Sequence, residues 1–222
     1  MRLSSERFCL SGAFAPEPGL QLDCGMEKNR LEAFSDGVLA IIITVMVLEL
    51  RVPHGSDLTA LKPLLPVLLT YLLSFIYLGI YWNNHHHLLK AAHKVTGGIM
   101  WANLHLLFWL SLFPFVTGWM GANHFTTAPT ALYGTVMLLA AIAYYILQSL
   151  IIADQGRDSK LAASIGRDLK GKVSPGLYAV AIAASFYRPW ISACLYVFVA
   201  LLWLVPDPRI ARVVDESGPS RR

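Results

Sequence analysis

Apolar residues come along this chain in six runs separated by short polar breaks. The first, about 30–50, contains LEAFSDGVLAIIITVMVLEL and ends at Arg51, Val52, Pro53, His54 and Gly55, a cluster that stops a helix. The second covers about 61–82, with a pattern that carries the helix on towards His87. The third covers about 95–118, with Pro114 near its outer end, and the fourth about 127–153. A polar loop, DQGRDSKLAASIGRDLKGK, precedes a fifth run at about 174–187. The sixth lies at about 189–205, and Arg188-Pro189 supplies the turn between them. At a rise of 1.5 Å per residue, about twenty residues cross the roughly 30 Å hydrocarbon layer of a bilayer. The pattern predicts an all-α integral membrane protein with six transmembrane helices in a channel-sized domain at 26–210, followed by a cytoplasmic tail at 211–222. The fifth run, only about 14 residues, is expected to tilt or to form part of a hairpin that does not fully cross.

Charge sharpens the membrane reading. No Lys, Arg, Asp or Glu occurs from Val95 to Ala153. A bilayer enforces such a silence, because an ionisable group at its centre costs about 2.5–3.5 kcal/mol. With the N-terminus inside, fifteen of the eighteen basic residues fall on inner segments, and Arg51, Lys62 and Arg188 fall outside. That bias predicts both termini in the cytoplasm and favours six spans over five or seven. A net charge of +4 spread over loops and tail excludes a nucleic-acid surface, which needs basic residues gathered on one exposed face. Cys9, Cys24 and Cys194 have no metal-ligand spacing, and Cys194 reads as a small core residue. Residues 1–25 hold two Pro, three Gly and scattered charges without a signal-peptide core, whereas Met26 opens MEKNRLEAFSDGV. Residues 1–25 are therefore expected to be a disordered extension or a mis-called start.

Four places carry polar groups that lipid rejects. Arg30, Ser35 and Asp36 stand at the start of the first run, and Asp36 there needs a partner or water. A helix-start anchor and a cation-attracting inner vestibule are both open, and compatible. Ile41, Thr44, Val45 and Leu48 share one helical face at i, i+3, i+4 and i+7. In a monomeric bundle that face is ordinary core; around a symmetry axis it is a hydrophobic constriction with one hydroxyl ring. Periodicity does not choose between these. Trp82, Asn83 and Asn84 precede His85, His86 and His87, and adjacent residues on a helix diverge by about 100°, which makes a poor single-metal site. Hydrogen bonds to other helix ends, with Asp36 as a partner, are expected instead. Asn103 and His105 in the third run are expected to face neighbouring helices. Pro114, Thr117 and Gly118 predict a kinked or frayed outer end, and Glu49 marks an interface or helps draw cations to an outer mouth. No nucleophile triad, Walker sequence or dinucleotide fingerprint is present, so an enzyme is not expected.

Arg30, three residues, then Phe34-Ser35-Asp36 opening an aliphatic helix resembles the first-helix motif of the transmembrane-protein-175 family. The resemblance extends to Trp82, the His85-His86 pair, Asn103, Pro114-Phe115, Thr117 and the closing LYVFVALLWLVPDPRI. The animal members of that family are endosomal and lysosomal potassium channels, and the bacterial ones are single-repeat proteins. The resemblance implies a homotetramer in a bacterial inner membrane, with an ion path lined by four copies of the first helix and no TVGYG-type carbonyl filter. Carried over, Ile41 is the narrowest ring, Thr44 the hydroxyl layer, and Val45 and Leu48 wider or outer positions. Arg30, Phe34, Ser35 and Asp36 brace the inner end of the pore helix, with Trp82, His85, His86 and Asn103 as supporting contacts. The implied function is a potassium-permeable cation channel, weakly selective over sodium, with potassium as permeant ion, membrane lipid as surroundings, and no cofactor or metal. Where the family often has Leu, this chain has Val45, which implies a slightly wider pore. A secondary transporter would need repeats, discontinuous helices and a charged midplane, which the chain lacks. A non-conducting membrane scaffold is the other alternative.

Overall fold

In the computed structural model the first apolar run forms a continuous helix, α1 (Cys24–Leu48), that ends ahead of the Arg51–Gly55 break. The structure describes residues 24–92, 94–155 and 169–204. The expected tail at 211–222 and nearly all of the expected extension lie outside these; Cys24 and Gly25 already belong to α1. A short 3-10 segment (Leu58–Leu64) leads into α2 (Leu65–Ala91), with Pro66 in its first turn, where the missing N–H has no helical acceptor to lose.

The third run is two helices. Thr96 caps α3 (Gly97–Ser111) by accepting a bond from the Ile99 N–H, and α4 (Phe113–Ala122) begins directly after Leu112. Pro114 sits in the first turn of α4, so it starts a helix. Of the kinked or frayed end expected there, the break at Leu112 just ahead of Pro114 is the kink, while in place of fraying an ordered helix runs past Gly118, because Thr117 and Gly121 are buried against α2. There follow α5 (Thr127–Gln155), α6 (Leu169–Ser185) and α7 (Pro189–Leu204), the last opened by Pro189 as expected.

Among the described residues, four stretches are long and apolar enough to cross a bilayer: Lys28–Leu48, Leu58–Ala91, Gly97–Ala122 and Thr127–Gln155. The apolar parts of α6 and α7, Val173–Ser185 and Pro189–Leu204, are shorter. The protein is thus an all-α, multi-pass membrane protein.

Its interior is built around α5, which packs against α3, α4, α6 and α7. Close approach depends on small residues, as membrane helices require when no water drives them together. A side-chain carbon on Gly121 would lie 2.7 Å from the Val67 Cα of α2, and one on Gly134 would collide with the Tyr196 hydroxyl of α7. Buried hydroxyls tie the helices across these seams. Ser74 bonds Thr117 at 2.7 Å and Tyr133 at 3.1 Å, while Tyr77 donates to the Tyr196 carbonyl at 2.5 Å. Cys194 is not a core residue: α7 turns Ser192, Tyr196, Val199 and Ala200 inward and leaves the thiol exposed.

Candidate functional site

Helix α1 packs on α2, α3 and α4 along one face, which buries Ser35, Leu39, Ile42 and Met46 at i, i+4, i+7 and i+11. Its remaining surface is free within the protomer. Phe34, Ile41, Val45 and Leu48 are exposed, Ile41 to 62% and Leu48 to 79%, and Thr44 is exposed beside them. The core reading of the 41/44/45/48 stripe therefore fails for the protomer, whose core is the opposite face. The Thr44 hydroxyl donates to the Ile41 carbonyl of its own helix at 2.8 Å. Its proton is committed, so what the side chain offers outward is oxygen lone pair, the side a cation prefers.

The N-terminal half of α1 is stitched to α2 by three rungs one helical turn apart. Lys28 Nζ donates to the carbonyls of Lys90 at 2.8 Å and Ala92 at 2.9 Å, at the end of α2. Those carbonyls lack intrahelical partners, and a cation there also complements the helix dipole. One turn on, His86 Nδ1 meets Glu32 Oε1 at 2.6 Å. A further turn on, Trp82 Nε1 donates to Asp36 Oδ1 at 3.0 Å, and the Trp82 and His86 rings stack. Positions 28, 32 and 36 ascend as 90, 86 and 82 descend, the register of two antiparallel helices. This corrects the expected pairing of Asp36 with a histidine. In that register Asp36 lies level with position 82, the histidine is left to Glu32, and Arg30 points outward, away from α2.

Behind the rungs runs a fully buried relay. His85 Nε2 lies 2.7 Å from Asn103 Oδ1, Asn103 Nδ2 donates to Ser35 Oγ at 2.9 Å, and Ser35 donates to the Leu31 carbonyl at 2.8 Å. An amide oxygen only accepts, so the His85 proton is on Nε2, which leaves buried Nδ1 as an unpartnered acceptor. Ser35 and Asn103 have no exposed surface and His85 has 2%. The relay joins α2, α3 and α1, the helix–helix role expected of Asn103. His105, expected to do the same, faces outward and accepts a bond from Trp109 Nε1, because the packed face of α3 is the one carrying Ala102, Asn103, Leu106 and Leu107. Just past the C-terminal end of α1, Glu49 lies over Gly118 of α4.

The adjacent histidines diverge as helical geometry demands, His85 to Asn103 and His86 to Glu32. Among the described residues no three His, Cys, Asp or Glu side chains gather closely enough to hold a metal. The structure thus brings Ser35, Asp36, Trp82, His85, His86 and Asn103 together, and leaves Arg30 and Phe34 on the outward side of α1 with the 41/45/48 stripe. Sequence reasoning missed Lys28 and Glu32. The signal was present in the spacing 28, 32, 36, which repeats every four residues and places all three on one side of α1.

Comparison with known proteins gives a consistent result. The family described as "Endosomal/lysosomal potassium channel TMEM175" matches residues 30–114, which cover most of α1, the Glu32 and Asp36 rungs and the relay. A potassium channel of Chryseobacterium sp. (strain P1-3) is 55% identical over 192 residues, 86% of this chain and 100% of that one. The human endosomal/lysosomal proton channel TMEM175 is 37% identical over 83 residues, 32% of this chain and 16% of its own length. The crystal structure of a lysosomal potassium-selective channel TMEM175 homolog from Chamaesiphon minutus superposes with a TM-score of 0.71 at 28% identity. That match covers 81% of this chain and 97% of the other.

Proposed function

Because this chain belongs to the TMEM175 family, as a bacterial potassium channel, we propose that four copies assemble around a pore lined by α1. The observation that carries the proposal is the unburied stripe of α1: Ile41, Val45 and Leu48 are apolar and exposed although α1 has a fully packed face available. One protomer has one such stripe, so a closed path needs several copies about an axis. In this reading Ile41 forms the narrowest ring, Thr44 a ring of outward oxygens one turn beyond, and Val45 and Leu48 wider rings. A ring of isoleucines offers an ion no oxygen, so passage depends on the water the ring admits and selectivity for potassium over sodium is weak. The rungs and the His85–Asn103–Ser35 relay hold each α1 from behind, and Arg30 and Phe34 face neighbouring subunits. The chain crosses the bacterial inner membrane six times, with α6 and α7 as the short last pair and both termini in the cytoplasm. The 15-to-3 division of basic residues supports that orientation.

Purified protein in liposomes under a potassium gradient tests the pore. Cation current is expected, larger in Ile41→Asn and with less preference for potassium; Thr44→Ala should chiefly weaken that preference. A conducting wild type whose conductance and selectivity ignore Ile41→Asn would move the constriction to another helix. Light scattering with detergent mass subtracted should give a tetramer, and a monomer defeats the assembly.

A further inference from the structure

Away from α1, a cleft partly open to its surroundings lies between α2, α5, α6 and α7. Its walls are aromatic: Tyr77 and Tyr81 from α2, Tyr144 from α5, Tyr178 from α6 and Trp203 from α7. Three of their polar ends are already engaged, since Tyr77 donates to the Tyr196 carbonyl, Tyr144 to the Asn84 carbonyl at 3.3 Å, and Trp203 Nε1 to Ser174 Oγ at 2.9 Å. The lining therefore presents mainly ring surface.

Two amides interrupt it, Asn84 and Gln148. Gln148 is the informative one. It lies within the uncharged span of α5, is only 8% exposed, and its side chain makes no hydrogen bond to the protein. A buried amide left without a partner costs free energy, so such groups are paired or face a molecule that pairs them. The surface left to this amide is the cleft.

We infer that the cleft binds a small neutral amphipathic molecule, with a hydroxyl, carbonyl or amide group on Gln148 and an apolar body between the tyrosines. Neutrality follows from the lining, which among the described residues has no Asp, Glu, Lys, Arg or His to balance a charge taken out of water. An occupant would also bear on α2, whose other faces carry Trp82 against α1 and His85 against α3. Such a ligand could arrive from water or from the bilayer as a neutral lipid.

Native mass spectrometry of the purified protein separates these sources, with benzanilide as the water-borne probe and monoolein as the lipid. At least one should form a saturable adduct, one per protomer, and the probe that does so names the source. Gln148→Met keeps the volume and removes the amide, and should weaken that adduct about tenfold. Ala141→Leu fills the cleft from α5 and should abolish it. If Ala141→Leu does not fold, Gln148→Met decides alone. Absence of a saturable adduct with either probe overturns the inference. So does equal affinity in wild type and Gln148→Met, or oleate binding there as tightly as monoolein. None of these readouts uses current, so they stand or fall separately from the pore.

Discussion

Replacing Asn103 by Leu tests the buried relay at its centre. The side chain has no exposed surface, and its amide is bonded on both sides, to His85 on α2 and Ser35 on α1. Leucine shares its branched outline with somewhat more bulk, so no cavity is created and the loss is chiefly polar. The His85 Nε2–H is then a buried donor without an acceptor, a state that costs about 1–3 kcal/mol. Ser35 fares better, because its own proton still reaches the Leu31 carbonyl at 2.8 Å. Side-chain bonds between membrane helices average only about 0.6 kcal/mol, with a maximum near 1.7, which pulls the estimate down. The expected total is about 2 kcal/mol, or roughly thirtyfold in the unfolding equilibrium. Titration with a denaturing detergent in mixed micelles, followed by circular dichroism, measures it. His85→Phe removes the orphaned donor, so the double variant should be less destabilised than the sum of the two singles, by about 1 kcal/mol. A cost for Asn103→Leu below about 0.5 kcal/mol, or strict additivity in the double variant, would refute the claim that the relay holds α1.

Asp36→Ala should lower the yield of assembled protein more than it alters ion preference, because it removes the acceptor for Trp82, whereas Asp36→Asn keeps an oxygen there and should be mild. Full assembly of Asp36→Ala with changed selectivity would make the residue an ion site instead. Gly134→Ala should destabilise by about 1–3 kcal/mol, seen as a lower melting temperature, because the new carbon meets Tyr196 and Ile182 between helices already in contact; an unchanged melting temperature would mean the seam is loose. Cysteines placed at Lys90 and His54 should react with a membrane-impermeant thiol reagent from opposite sides of intact cells, position 54 from outside; labelling of position 90 from outside would reverse the topology.

Much of this protein was legible in the chain alone. The uncharged stretch from Val95 to Ala153 and the six apolar runs are read from the cost of charge in lipid, which acts on each segment wherever it packs. The Arg30/Phe34-Ser35-Asp36 motif marked the N-terminal end of α1 for the same reason: polar groups at a membrane helix start demand partners. Periodicity further showed that Ile41, Val45 and Leu48 share a face. What it left open was whether that face meets a core. Packing decided it by burying Leu39, Ile42 and Met46 against α2, α3 and α4, so the other side of the helix stays free.

Partners across helices were decided in the same way. Asp36 went to Trp82, and His86 to Glu32, because the antiparallel register of α1 on α2 aligns 36 with 82 and 32 with 86; one turn of slip would have paired them differently. The cleft around Gln148 has no counterpart in any single segment, since four helices contribute its walls. A helix's own sequence determines which residues point the same way, because that depends on bonds within the helix. Which residue of another helix stands opposite depends on register and close approach, and those exist only once the helices have packed.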